Sequence, residues 1–269
     1  MVLGYATNHL VNGVIACGAF AGAEQLATIK CPVMGIVGMD DFNFSETAQY
    51  ILNPERAPAN AFVELTKASH AWPDEKVLAD AFGWFRLSDT KHGEKREYNN
   101  QVKSYVKIQQ VRIDSLVRAD DLLQAACVGR NMASVPVYEK QGDFDAENAE
   151  LVSRNSYKEQ QTQLIKSLRF EMKVRDAYNK ALLEKDAKWW TREILSLHEK
   201  METEPNVMLR MAYQRISGFL GIICYSYCNQ FIARKQVSQL EQTLMVYRLA
   251  EPENQDMLRF SEMLGQLKN

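Results

Sequence analysis

The chain has 269 residues, of which 46% are hydrophobic and 25% are charged, and its formal net charge is −2 at pH 7. This composition is typical of an ordinary globular protein with one or two domains. The near-neutral charge and the lack of a long basic run argue against a nucleic-acid partner.

Residues 1–88 alternate short apolar runs with helical patterns. Three runs have strand length, and the first two are nearly all apolar, as buried parallel strands are; the runs are Val14–Gly18, Val33–Gly38 and Ala61–Leu65. Helices are predicted from Ser45 to Leu52, with Ser45 as the N-cap, and from Asp74 to Phe85, after the start signals Pro73 and Asp74. The alternation predicts an α/β domain with a parallel sheet of about three strands.

Residues 89–97 are polar and are predicted to form a linker to an all-helical domain, residues 98–269. The helical period marks one long helix from Val102 to Leu123, a second with Leu164, Leu168, Met172 and Ala181, and a third with Trp189, Trp190, Ile194 and Leu197. Gly129-Arg130-Asn131 is a turn signal. A helix starting at Phe219, its partner Val237–Leu249 and a last helix Gln255–Leu267 resemble a tetratricopeptide-type helical hairpin, although generic helical packing explains this pattern almost as well.

Two titratable residues follow neighbouring predicted strands. Asp41 lies just after Val33–Gly38, and His70 lies just after Ala61–Leu65. The carboxyl ends of parallel strands meet at one edge of a sheet, so these side chains are expected to come together there. An acid that orients a histidine is the back half of a hydrolytic triad. Asp40 is the alternative acid, both aspartates are also common turn formers, and His70 could be an ordinary loop histidine.

Three segments resemble the end of an α/β-hydrolase domain of the esterase and peptidase-like kind; they are Gly38–Asp41, Ser69-His70-Ala71-Trp72-Pro73 and Ala81-Phe82-Gly83-Trp84-Phe85. Asn12–Ala19 resembles the strand that follows the nucleophile helix. The resemblance covers about the first third of the chain and implies that Asp41 is the triad acid and His70 the triad base. It departs from the family in lacking a Gly-x-Ser-x-Gly elbow, which would fall just before Met1. The domain is therefore expected to be truncated at its amino terminus and to lack its oxyanion hole.

Two functions follow as hypotheses. The first is a serine hydrolase that acts on an ester or peptide-like acyl bond in its full-length form and is inactive as this chain. The alternative is a non-catalytic protein-interaction module built on the helical domain. The expected partners are a small-molecule or peptide substrate, a protein partner of the helical domain and a second copy of the chain. No membrane partner is expected, because Ile216–Tyr227 is too short to span a bilayer. No targeting signal is found, which leaves the compartment open.

No cofactor or metal is expected. The five cysteines are scattered and odd in number, which favours buried free thiols. Cys224 and Cys228 are four residues apart, but without nearby His or Cys partners a core position is favoured over a metal pair. No glycine-rich loop followed by Lys and Ser or Thr marks a nucleotide site. Ser69 is predicted to be structural, because adjacent residues rarely direct their side chains at each other.

Overall fold

The fold is taken from a computed structural model, which describes residues 10–58, 60–88, 100–134 and 141–268. Two compact units divide the chain, Met1–Gln163 and Leu164–Asn269. The first unit contains β1 (Val14–Cys17), α1 (Ala23–Thr28), β2 (Val33–Gly38), α2 (Phe44–Leu52), a short 3₁₀ helix (Pro54–Arg56), β3 (Ala61–Thr66), α3 (Glu75–Ser88), α4 (Asn100–Arg118), α5 (Leu122–Ala133), α6 (Gln141–Ser153) and the start of α7 (Asn155–Ala181). The second contains the rest of α7, α8 (Ala187–Thr203), α9 (Val207–Ala233), α10 (Val237–Ala250) and α11 (Gln255–Lys268).

The sheet of the first unit is parallel and has the strand order β1-β2-β3. Val14 is in register with Val33, and Val33 is in register with Ala61. All six residues of the central strand β2 are buried, as the continuous apolar run predicts. The three strands therefore lie where the sequence places them, and their carboxyl ends share one edge.

Helices cover both faces of the sheet. On one face Phe20 lies over Gly35, where a methyl group would come within 2.5 Å of the Phe20 ring, and Phe20 also contacts Tyr50 of α2 edge to face. On the other face β2, α3, α4, α5 and α6 share one apolar cluster; its buried members include Met34, Ile36, Trp84, Val106, Val128 and Phe144. Helices beyond the predicted linker thus complete the core of the sheet. The compact units are therefore divided differently from the predicted ranges 1–88 and 98–269, and the linker 89–97 lies outside the described residues.

Helix α5 closes the outer edge of β3. The side-chain amide of Gln124 donates to the Leu65 carbonyl at 2.6 Å, and that of Asn131 donates to the Val63 carbonyl at 2.9 Å. Both amides are buried. These bonds satisfy carbonyl groups to which a further strand would otherwise bind.

The turn predicted at Gly129-Arg130-Asn131 is wrong, because these residues lie inside α5.

Helix boundaries differ from the predictions in three further places. The helix predicted through Leu123 is interrupted after Arg118, and the chain turns at Asp120, which has a φ of 56°. Helix α2 begins one residue earlier than predicted, so Asn43 and not Ser45 is its N-cap residue. Helix α9 begins at Val207, twelve residues before the predicted start at Phe219, since the amphipathic pattern of this helix is weak.

The second unit has its own apolar core, to which α7 to α11 contribute; its buried members include Leu182, Trp190, Ile216, Cys224, Leu244 and Phe260. Met172 does not belong to this core, because it is 62% exposed. A buried ion pair joins two helices, with the Arg215 Nε atom 2.7 Å from Glu171 Oε2.

Helix α9 is longer than the apolar segment considered in the sequence. By length and composition alone its 27 residues pass the test for a membrane span, with a mean hydropathy of 1.2 over the most apolar window. A third of that window is buried inside the protein, and Leu220 and Cys228 of this helix belong to the apolar core of the second unit. Core helices of globular proteins pass the same test, so this helix is weak evidence for a membrane.

Candidate active site

Asp41 lies in the turn that follows β2, at the carboxyl edge of the sheet. Its side chain is only 1% exposed. One carboxylate oxygen, Oδ1, accepts the backbone N–H of Asn43 at 2.8 Å, and the backbone N–H of Asp41 donates to the Gly38 carbonyl at 3.1 Å. Gly38 allows the next loop to approach, because a methyl group at Gly38 would collide with the Ala68 carbonyl. The backbone therefore holds this carboxylate in a fixed orientation.

His70 lies in the loop after β3, and the structure brings it against Asp41. Its Nδ1 atom is 3.1 Å from both carboxylate oxygens of Asp41. The Phe42 ring packs on the imidazole, with ring centroids 4.5 Å apart and the planes tilted by 36°. The His70 side chain is 49% exposed, whereas its partner carboxylate is buried. Asp41 thus orients the imidazole from the Nδ1 side.

The end of β1 contributes Gly18 to the same place. Gly18 has a φ of 68°, in the left-handed region that favours glycine. A methyl group there would come within 2.9 Å of His70 Cε1 and within 3.2 Å of Asp41 Oδ2. The Asn43 side-chain amide donates to the Gly18 carbonyl at 2.7 Å. All three strand ends therefore meet around one acid–histidine pair.

Comparisons of the chain with protein-family models, with curated proteins and with solved structures each found no match.

Three residues of this site were not predicted from the sequence, namely Gly18, Phe42 and Asn43. Gly18 could have been found as a glycine that directly follows a buried strand, on the edge where Asp41 and His70 were expected. Asn43 stands two residues after the acid, a spacing at which an aspartate side chain accepts a backbone N–H. No sequence pattern indicated that Phe42 packs on the imidazole, because this contact depends on the conformation of the loop after β3.

The hydrogen bonds of His70 within the described residues run through Nδ1 alone, to Asp41. Ser69 is exposed, and no described hydroxyl or thiol bonds to the ring. The arrangement provides an oriented imidazole, and the described part of the chain assigns no nucleophile to it.

A second group of titratable residues lies on the sheet face covered by α3 and α4. Glu64 of β3 forms an ion pair with Arg112, whose Nη1 atom also lies 3.8 Å from Asp80 Oδ2. Tyr105 donates its hydroxyl to the Asp80 carbonyl at 3.0 Å. Burial raises the pKa of the Glu64 carboxyl, although the Arg112 guanidinium opposes the shift. These contacts tie β3 to the helical layer.

The closely spaced cysteine pair lies in the apolar core of the second unit. Cys224 and Cys228 are both buried, and burial raises the pKa of each thiol. No group of three or more His, Cys, Asp or Glu side chains that could hold a metal ion occurs within residues 10–58, 60–88, 100–134 and 141–268.

Proposed function

We propose that Asp41 and His70 are the acid and the base of an acyl-hydrolysing site of the serine-hydrolase type. One observation carries this proposal: a buried carboxylate lies 3.1 Å from Nδ1 of a half-exposed imidazole, at the carboxyl edge of a parallel sheet. Ligand sites of open α/β sheets form at this edge. The substrate class is an ester or peptide-like acyl bond.

Each residue has a defined role in such a site. Asp41 accepts the Nδ1 proton of His70, which fixes the tautomer that leaves Nε2 with a lone pair. Nε2 then takes the proton of the attacking nucleophile and later returns it to the leaving group. The imidazolium formed between these steps is stabilised by the Asp41 carboxylate. The N–H of Asn43 holds this carboxylate in place, and Gly18 leaves room for the ring.

The chain order supports the same reaction class. The acid follows one strand and the histidine follows the next parallel strand, which resembles the α/β-hydrolases, where the acid precedes the histidine. The 269 residues contain no Gly-x-Ser-x-Gly elbow. The proposal therefore covers the acid–base half of the site and assigns neither a nucleophile nor oxyanion donors to described residues.

Acylation of His70 tests this proposal. Diethyl pyrocarbonate transfers an ethoxycarbonyl group to an unprotonated imidazole nitrogen, and peptide mass spectrometry gives the rate at each histidine. At about pH 8 we expect His70 to react faster than His198, an exposed histidine of α8, because Asp41 holds the Nδ1 proton and leaves the Nε2 lone pair available. Asp41→Ala should lower the His70 rate to that of His198. A His70 rate that equals that of His198 in the wild type, or that Asp41→Ala leaves unchanged, would contradict the proposal.

Fluorophosphonate labelling tests the missing nucleophile separately. This reagent labels a serine that an adjacent histidine activates. No described hydroxyl bonds to His70, so we expect no labelled serine in this chain. A serine labelled in the wild type but not in His70→Ala would identify the nucleophile and refute this expectation.

A further inference from the structure

Asn43 stands at the start of α2, but its side chain does not cap this helix. An asparagine in this position commonly accepts a backbone N–H of the first helical turn through its side chain. Asn43 forms no such bond. Its side-chain amide instead donates to the carbonyl of Gly18, 25 residues earlier in the chain, at 2.7 Å. The side chain of Asn43 therefore binds the end of β1 rather than its own helix.

Both backbone polar groups of Gly18 are hydrogen-bonded. Its N–H donates to the Ile36 carbonyl of β2 at 2.9 Å, and its carbonyl accepts the amide of Asn43. Glycine has more backbone freedom than any other residue, so a glycine keeps one conformation only where its neighbours hold it. The bond to Ile36 fixes the peptide group before Gly18, and the bond to Asn43 fixes the peptide group after it.

Gly18 limits the position of the His70 ring. A methyl group at Gly18 would lie 2.9 Å from Cε1 and 3.0 Å from Nδ1 of His70, so this edge of the ring packs directly on the glycine. Asp41 faces the same edge, because both of its carboxylate oxygens lie 3.1 Å from Nδ1. A shift of Gly18 would therefore change the space that the ring has beside its hydrogen bond with Asp41.

Asn43 thus binds both residues that face this edge of the imidazole. Its backbone N–H donates to Asp41 Oδ1 at 2.8 Å, and its side chain donates to Gly18. We propose that Asn43 is a positioning residue, whose side-chain amide sets the orientation of the His70 ring by holding Gly18. This role rests on the function proposed above for Asp41 and His70. The two bonds of Asn43 can be separated, because the backbone N–H remains when the side chain is replaced.

Asn43→Ala tests the bond to Gly18 alone. The first measurement is the nuclear Overhauser effect between the Gly18 Hα protons and His70 Hε1, which reports the distance between the glycine and the ring. The second is the ethoxycarbonylation rate of His70 relative to that of His198. We expect Asn43→Ala to lose most of the Overhauser effect and at least half of the rate difference between the two histidines. Asn43→Ser should behave in the same way, because its hydroxyl is too short to reach the Gly18 carbonyl and serine is favoured before a helix.

Asn60→Ala is the matched control. Asn60 lies just before β3, at the other edge of the sheet, and its side-chain amide donates to the backbone carbonyls of Ile29 and Cys31 at 2.8 and 2.9 Å. Because this variant removes two bonds of the same kind, it should lower the stability of the first unit in urea at least as much as Asn43→Ala does. It should leave both measurements on His70 unchanged.

The outcomes separate this role from general stability and from the proposed function. The inference is overturned if Asn43→Ala retains the Overhauser effect, if it retains the rate difference between His70 and His198, or if Asn60→Ala loses as much of either. A wild-type His70 that shows the Overhauser effect but reacts no faster than His198 would contradict the proposed function, and the Overhauser effect in the variants would then decide the positioning role.

Discussion

Replacement of Gln124 measures how strongly α5 holds the edge of β3. In Gln124→Ala the Leu65 carbonyl loses the amide that donates to it at 2.6 Å, and Leu65 is only 1% exposed. A buried acceptor without a partner costs about 1 to 3 kcal/mol. We therefore expect the free energy of local unfolding of β3, which hydrogen exchange reports, to fall by about 2 kcal/mol.

Gln49→Ala is the matched control. Gln49 also lies on a helix of the first unit and donates its amide to a backbone carbonyl, that of Glu46 at 3.0 Å, but in an exposed position. Because water replaces this bond, the expected change is within about 0.5 kcal/mol. Hydrogen exchange at rising urea concentrations, measured on peptides that contain β3, gives both values. Equal losses in the two variants would refute the inference that α5 seals this edge.

Three further predictions concern single positions. Gly18→Ala should cost about 1 to 2 kcal/mol in unfolding free energy and slow the ethoxycarbonylation of His70, because an L-residue is strained at a φ of 68° and its methyl group meets the ring. Because burial raises the pKa of Glu64, the folded state holds this proton more tightly. The contribution of Glu64 to stability is therefore present below the ordinary glutamate pKa and is lost as the pH rises through the raised folded value. Urea titrations across this range should show that Glu64→Gln removes this part of the pH dependence, and an unchanged profile would contradict the assigned cause. Lys235→Gly should stabilise the second unit by about 0.5 to 1 kcal/mol and so raise its thermal midpoint, because Lys235 follows the end of α9 with a φ of 53°. A lower midpoint would refute this prediction.

The sheet and the approach of the acid to the histidine could be predicted because they depend on local pattern and simple topology. The apolar run Val33–Gly38 predicts one buried strand and both of its ends. The 29 residues between Asp41 and His70 accommodate one helix and one strand, and parallel strands end on one edge. This logic needs no knowledge of side-chain packing.

The helical layer could not be predicted in the same way, because distant contacts decide it. Gly129 and Asn131 favour a turn by local propensity, yet both lie in α5. Asn131 is satisfied by the Val63 carbonyl, 68 residues away, and Gly129 allows α6 to pack closely at Asn148. Tertiary contacts of this kind override weak local preferences. The Asn131 bond joins α5 to β3, and the shared apolar cluster joins α4 to the sheet, although both helices follow the polar stretch that suggested a linker.

The tautomer of His70 tests the central claim most directly. Long-range proton–nitrogen NMR correlation of protein labelled at its histidines, with His70→Ala to assign the signal, reports which ring nitrogen holds the proton. We expect the neutral ring to be protonated at Nδ1 in the wild type, because Nδ1 faces the Asp41 carboxylate. In Asp41→Ala the ring loses both oxygens that accept from Nδ1, so the preference for the Nδ1-protonated tautomer should be lost. A wild-type ring protonated at Nε2, or a tautomer that Asp41→Ala leaves unchanged, would contradict the role of Asp41 and His70 as an acid–base pair.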